Sequence, residues 1–400
     1  MNYTRGQLFL PLLESIRDAG GAVRPREIYD RVAEKVDLSG ADRSATVTYN
    51  GKAYNRFERD ICWLRQTARA RGFIGGERGV WELTAHGDKR LKNIRHGSIV
   101  TLFTTANGIC YWACAEDAVA AVEPESVDLI FTSPPYPLIR TKEYGTWSVE
   151  DWLTWMNKLA RDWRSMLAPT GSLMVNLGPV YDRGSPTQNP YIERMTLDFI
   201  DKLQLHLCDR LFWHNPCEPP APRQWVGVKR ARLKPSVEAV LWFGRSAAPK
   251  ANNRNVLQAY APGTARWMKR PRVPAQHPSG HDINAGSYRN DNGGAIPSTL
   301  ITAANVGADR AYRQHCREHG LPAHPATMPA KLPELAIRLC TDPGDLTFDP
   351  FFGSGTTALV AERLNRRWIG TERSLAYIAG AKSRFQKVPG FEDHQQHLLD

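Results

Sequence analysis

The stretch from Leu346 to Leu364 narrows the fold more than any other. Leu346-Thr347-Phe348 is a short apolar run. The glycine-rich Asp349-Pro350-Phe351-Phe352-Gly353-Ser354-Gly355-Thr356-Thr357 follows, and Ala358 to Leu364 then reads as a helix. Strand, tight turn and helix in that order form part of a doubly wound α/β sheet. Two glycine-loop chemistries are excluded. No lysine follows Gly355, as a triphosphate-binding loop requires, and the third glycine of a dinucleotide fingerprint is missing. What remains suits a neutral or cationic nucleoside. The next run, Arg367-Trp368-Ile369-Gly370-Thr371-Glu372, ends in an acid suited to a ribose diol, and Asp349 can face a positive group. S-adenosylmethionine fits: a nucleoside, a sulfonium and an ammonium.

A second strand end carries different chemistry. Val127-Asp128-Leu129-Ile130-Phe131 leads into Thr132-Ser133-Pro134-Pro135-Tyr136. Two prolines stiffen the backbone and cannot donate, so their carbonyls are expected to face a ligand. With the Ser133 hydroxyl and the flat Tyr136 ring, this suits a planar base that carries an amino group. Around it, strand-like runs (109–113, 171–177, 205–213, 237–243) alternate with helical ones (149–166, 191–203), and the last two strands read as a hairpin. Trp152, Trp155 and Trp163 at helical spacing read as core packing.

The 400 residues suit two or three domains. Lys+Arg number 52 against 41 Asp+Glu, a formal charge of +11, which favours a polyanionic partner, nucleic acid before membrane. Seven scattered cysteines with no C-x-x-C pair indicate neither a zinc site nor a disulfide framework, so no metal is expected. With no long apolar run, a cytoplasmic, nucleoid-associated protein is expected.

Residues 1–95 read as a separate module: helices over 7–18, from Pro25, and over 57–70, then a hairpin wing through Phe73-Ile74 and Val80 to Thr84. The runs Arg56 to Leu64, Gly72-Phe73-Ile74 and Gly79 to Thr84 resemble the N-terminal winged-helix domain of Mrr-type restriction proteins. Arg65 and Arg69 are its candidate DNA contacts; a docking module is the alternative. Further on, Asn215 to Pro222, Trp225, Lys229, Arg230, Arg232 and Lys234 read either as a cleft wall or as a surface loop. From 245 to 321 periodicity is lost and the segment is basic, with Lys269, Arg270 and Arg272 among its cations. It reads as a target-recognition region.

Together, Asp-Pro-Phe-x-Gly-Ser-Gly-Thr-Thr and Thr-Ser-Pro-Pro-Tyr resemble an S-adenosylmethionine-dependent DNA amino-methyltransferase. The order, with Pro-Pro-Tyr first and a basic segment between, resembles the β-class permutation. Ser133, followed by Pro137-Leu138, Lys142, Tyr144 and Gly145, resembles the cytosine-N4 type; adenine-N6 is the alternative, and a non-catalytic DNA-binding protein a more distant one.

The resemblance covers about 109–386. It implies a Rossmann-like methyltransferase sheet with helices on both faces, a first catalytic part at 96–244 and a cofactor-binding part at 322–400. It assigns Ser133, Pro134, Pro135 and Tyr136 to catalysis. To the cofactor it assigns Thr132, Asp349, Pro350, Phe351, Gly353, Ser354, Gly355, Thr356 and Glu372, with His324, Pro325 and Met328 from the preceding segment. Arg140 and Lys142 join the DNA contacts. Double-stranded DNA is the implied partner, with a homodimer and a cognate restriction endonuclease as further ones. Ser133 and the Pro134 carbonyl are expected to orient the amine of a flipped-out base stacked on Tyr136, and no strong base is expected in the loop. One departure stands: where the family carries Gly-Asp, this chain has Ala113-Cys114-Ala115-Glu116-Asp117, and which acid serves the cofactor stays open.

Overall fold

The computed structural model describes residues 8–36, 38–49, 51–70, 72–77, 79–90, 96–137, 148–182, 184–269, 275–276, 278, 280, 282–283, 290–305 and 309–394. The chain divides into two compact units, with the division near residue 95.

In the N-terminal unit, helices Phe9–Asp18, Pro25–Lys35 and Arg56–Ala70 turn Leu12, Ile16, Ile28, Val32, Phe57 and Ile61 into one core. Burying each such side chain contributes about 1.5–3 kcal/mol. Gly20 and Gly21, both at φ near +90°, end the first helix where side chains are disfavoured. Ala22–Val23, Trp81–Leu83 and Ile74–Gly75 pair in that order as a small sheet, giving the winged-helix arrangement. Sequence reading missed an insertion before the third long helix: a short helix, Gly40–Ser44, and an antiparallel hairpin, Thr46–Tyr49 with Lys52–Asn55.

The larger unit is built on a ten-stranded sheet. Its strands are β1 (Ile99–Thr104), β2 (Gly108–Ala113), β3 (Val127–Thr132), β4 (Leu167–Leu177), β5 (His206–His214), β6 (Val237–Gly244), β7 (Leu300–Thr302), β8 (Leu346–Asp349), β9 (Arg367–Glu372) and β10 (Glu392–Asp393). Their spatial order is β7-β5-β6-β4-β3-β8-β9-β2-β1-β10. The five central strands, β4 to β2, run parallel. On their flanks β6 and β1 run antiparallel to the neighbouring parallel strand, and β5–β6 is the expected hairpin.

Central parallel strands are covered on both faces, so they read as nearly unbroken apolar runs. In β3, Val127, Leu129, Ile130 and Phe131 are all buried. Asp128 breaks the run, and its Oδ2 accepts from the Leu346 N–H at 2.9 Å, which ties β3 to β8. From β3 the chain goes on to β4 on one side; from β8 it goes on to β9 on the other. A parallel sheet opens a crevice where its strand order diverges in this way, and both motifs end at that point.

Two expectations change. The aperiodic region is not without structure, because β7 joins the sheet edge beside β5 and Arg310–Glu318 is a helix. The tryptophan stripe on helix Val149–Met166 is not all core. Trp152 and Trp163 are buried, but Trp155 is only half-buried and reaches the site described next.

Candidate active site

The ends of β4, β3, β8, β9 and β2 lie side by side, with the start of antiparallel β6 on the same sheet edge. Beyond β3, Ser133, Tyr136, Asn176 and Glu238 form one polar network. The Tyr136 hydroxyl donates to Glu238 Oε2 at 2.9 Å. Asn176 Nδ2 donates to both, at 3.1 Å to the Tyr136 oxygen and 2.7 Å to Glu238 Oε2. Ser133 Oγ lies 3.2 Å from the Tyr136 oxygen. Since the phenol proton is engaged by Glu238, Ser133 must donate to Tyr136, which leaves its lone pairs open toward the crevice. Burial and the Glu238 charge push the Tyr136 phenol well above its ordinary pKa, so it stays protonated. Asn176 Oδ1 is buried and has no partner among the described residues.

Glu238 and Asn176 were missed by sequence reading, which looked for a base only in the loop itself; both lie on other strands. Each sits in an apolar-looking strand, and only the β4–β6 register sets them side by side, through Leu177 opposite Ala239. The Pro135 carbonyl was expected to face a ligand. Instead it accepts from Trp152 Nε1 at 2.7 Å, which pins the turn to the helix. Gly178 is needed for close approach: a Cβ there would lie 2.7 Å from the Tyr136 ring.

On the β8 side, Asp349 Oδ1 accepts from Thr132 Oγ1 at 2.8 Å and from the Phe351 N–H at 3.1 Å. Glu372 accepts from the Gly353 N–H at 3.0 Å and the Ser374 N–H at 2.9 Å. Burial raises Asp349 to about 6 and Glu372 to about 7, against the lowering effect of those hydrogen bonds. Gly355, at φ +74°, lacks a Cβ that would otherwise meet the Phe352 ring at 2.7 Å. The loop glycines therefore serve the loop's own packing, and the Gly353 N–H is already engaged. Arg384 donates to the Ser354 carbonyl at 2.9 Å and to Thr356 Oγ1 at 3.2 Å, and pairs with Asp309 at 3.0 Å. Pro350 receives Thr371 Oγ1 at its carbonyl. Phe351 packs on Trp155, whose indole donates to Glu116 at 2.7 Å. The His324 ring borders Gly353 and meets Tyr377 edge-on; Met328 is half-buried and Pro325 exposed.

Residues 127–383, more than half of the chain, match the family model described as DNA methylase, of N6/N4 type. The chain belongs to this family. The methylase also matches the Mrr N-terminal domain over residues 6–93. It is 37% identical over 286 residues to the type II methyltransferase M.PvuII of Proteus hauseri, covering 71% of this chain and 85% of that protein. To M.BglII of Bacillus subtilis it is 26% identical, covering 64% of this chain and 63% of that one. Among solved structures, the PvuII DNA methyltransferase (cytosine-N4-specific) superposes with a TM-score of 0.58 at 33% identity, covering 71% of this chain and 88% of that one.

The methyl donor of the methylase is S-adenosylmethionine. Its residues suit a cationic nucleoside: two buried carboxylates, Asp349 and Glu372, end adjacent strands, and neither forms an ion pair among the described residues. Glu116, held by Trp155, and Asp117, whose Oδ2 lies 3.6 Å from His96 Nδ1 and makes no hydrogen bond among the described residues, are the acids after β2.

The candidate DNA contacts of the methylase are spread out. Arg232 stacks on Tyr181 at 3.6 Å, and Lys229 on half-buried Trp225 at 4.5 Å; Arg230 and Lys269 are exposed. Arg69 is exposed, whereas Arg65 is half-buried over Trp81. Arg140, Lys142, Arg270 and Arg272 lie outside the described residues. No helix among the described residues is long and apolar enough to cross a membrane.

Proposed function

We propose that this methylase modifies the N4 amine of a cytosine flipped out of duplex DNA, in a restriction-modification system. The supporting observation is the polarity of the Ser133–Tyr136–Glu238 chain, together with the similarity to M.PvuII and to a cytosine-N4-specific structure. S-adenosylmethionine supplies an electrophilic methyl group. Thr132, Asp349, Pro350, Phe351, Gly353, Ser354, Gly355, Thr356, Glu372, His324, Pro325 and Met328 are assigned to hold it, Asp349 by charge and Glu372 through the ribose diol.

The chain's own residues do the rest. An exocyclic amine is a weak nucleophile because its lone pair is delocalised into the ring. Ser133 Oγ and the Pro134 carbonyl accept from its two N–H groups and draw the nitrogen toward tetrahedral geometry. Asn176 Oδ1 adds a further acceptor in the same pocket. After transfer the nitrogen is acidic, and its proton passes to Ser133 Oγ, whose own proton moves to Tyr136 while that of Tyr136 moves to Glu238. Tyr136, fixed by Gly178 and its hydrogen bonds, supports the extruded base.

Residues 1–95 are assigned to DNA docking, 245–321 to target recognition, and 96–244 with 322–400 to catalysis and cofactor. Trp225, Lys229, Arg230, Arg232, Lys269, Arg270, Arg272, Arg140, Lys142, Arg65 and Arg69 are assigned to DNA. A cytoplasmic, nucleoid-associated location, a homodimer and a partner endonuclease go with the assignment. Incubation with DNA and labelled cofactor, followed by mass spectrometry of the nucleosides, tests it. N4-methylcytosine is expected; N6-methyladenine would replace the target assignment.

A further inference from the structure

The inserted hairpin of the N-terminal unit gathers aromatic and basic groups that the core does not use. Tyr49 and Tyr54 are 57% and 43% exposed, and Trp63, on the helix that follows, 49%. The pairing Val47↔Tyr54 and Tyr49↔Lys52 puts both tyrosines and Lys52 on one face of the hairpin. Arg59 lies over both rings, its guanidinium carbon 4.4 Å from the Tyr49 centroid and 5.2 Å from that of Tyr54. Arg59 and Trp63 are four apart on helix Arg56–Ala70 and share a face.

The charge distribution is asymmetric. Arg31 pairs with Glu27, Lys35 with Asp18, and Arg43 with both Asp30 and Glu58. The other acid of the third helix's first turns, Asp60, is buried. Lys52, Arg56 and Arg59 form no ion pair among the described residues, so the hairpin and the start of the helix present unneutralised cations. An exposed aromatic cluster with arginine and lysine that form no ion pair among the described residues is complementary to a phosphate backbone.

We propose that hairpin 46–55 and the exposed face of helix Arg56–Ala70 are a duplex-DNA contact surface. Tyr49 and Tyr54 hold Arg59 flat for a phosphate, Lys52 and Arg56 add charge, and Trp63 lies against the backbone. The inference rests on the reading that this chain acts on duplex DNA. It adds to the assigned Arg65 and Arg69 a contact on an insertion that sequence reading had missed.

The test uses the full chain and a fluorescein-labelled duplex, with binding followed by anisotropy from 50 to 300 mM salt. K52A/R56A/R59A is expected to weaken binding about 10-fold or more and to reduce the slope of log K against log salt by about 2.7, roughly 0.9 per lost phosphate contact. The charge-neutral Y49A/Y54A is expected to lose about 3- to 10-fold. Matching thermal melts establish that both variants fold. An unchanged slope in the triple variant overturns the proposal. So does an oligomer that W63A dissociates without loss of DNA affinity, which would make the face a self-association surface. Methyl transfer at saturating DNA and low salt reports separately on the active site: a wild-type chain that binds with the expected salt response but transfers no methyl refutes the methylase reading and leaves this surface standing.

Discussion

Thr132 Oγ1 donates a 2.8 Å hydrogen bond to Asp349 Oδ1 across 217 positions of sequence. It joins the end of the strand that carries Ser133 to the end of the strand that opens the glycine loop. Both groups are buried, and the bond favours the ionised form of a carboxylate that burial alone would neutralise. T132V removes the donor and keeps the shape. Cofactor affinity should fall about 10-fold, as expected for a lost bond to a charged group, with DNA affinity unchanged. Calorimetric titration with S-adenosylmethionine checks this.

The same burial makes cofactor binding depend on pH. Asp349 and Glu372 lie near 6 and 7, against ordinary values of 3.8 and 4.5. Between the ordinary and raised values the folded apo chain holds protons that the unfolded chain has released. This pair's contribution to stability is therefore largest at low pH and falls as pH rises from about 4 to about 7. Affinity for a cationic ligand should move the opposite way and tighten between pH 5.5 and 7.5 as both groups ionise. D349N should flatten the lower part of that profile and bind more weakly at pH 8.

Glu238 is expected to act after methyl transfer. E238Q keeps an acceptor on the Tyr136 hydroxyl but removes the charge, so turnover should fall about 10²- to 10⁴-fold, the range of a lost proton acceptor. Affinities for cofactor and DNA should stay within about threefold. Single-turnover methylation, alongside both binding constants, separates these quantities. Y136F, which interrupts the relay, should resemble E238Q in turnover.

Ser133 touches the amine directly in this scheme. S133A should cut turnover far more than DNA affinity, and an equal loss in both would contradict an orienting role.

Trp152 supports the turn from behind. W152F fills most of the buried volume but leaves the Pro135 carbonyl without its donor, at a cost of about 1–3 kcal/mol. Melting temperature should fall, and turnover should fall with it because the Ser133 backbone is no longer pinned. Chemical denaturation and rate measurements on the same preparation check both.

Much of this was legible in the letters because the chemistry sits at strand ends. Val127–Thr132 and Leu346–Asp349 announce buried strands by short, largely apolar runs, and the turns after them are unmistakable in composition. What was not legible comes from lateral register. Glu238 lies opposite the end of β4 only because β6 folds back from β5, and the distance from Tyr136 to Glu238 in sequence says nothing of it. Trp152 shows a helical period that predicts burial, correctly, but no pattern tells that its indole N–H has a carbonyl to meet. The hairpin at 46–55 alternates too briefly to stand out. Leu300–Thr302 is a three-residue strand that takes its structure from the edge it joins.

The adjacency of β3 and β8 has a consequence for how such a chain can change. The two halves of the reaction centre are neighbours in space, and the chain between them returns to the same crevice through Asn176 and Glu238 before its aperiodic part at 245–321. Material can be lengthened, exchanged or cut in the aperiodic part of 245–321 without moving either strand end, because closing a longer loop adds only about 0.6 kcal/mol per doubling. Two separate polypeptides divided inside 245–321 should accordingly reassemble through the β3–β8 ladder and the Thr132–Asp349 bond. Under the proposed assignment of 245–321 to target recognition, what the enzyme reads can thus drift while its chemistry stays in register.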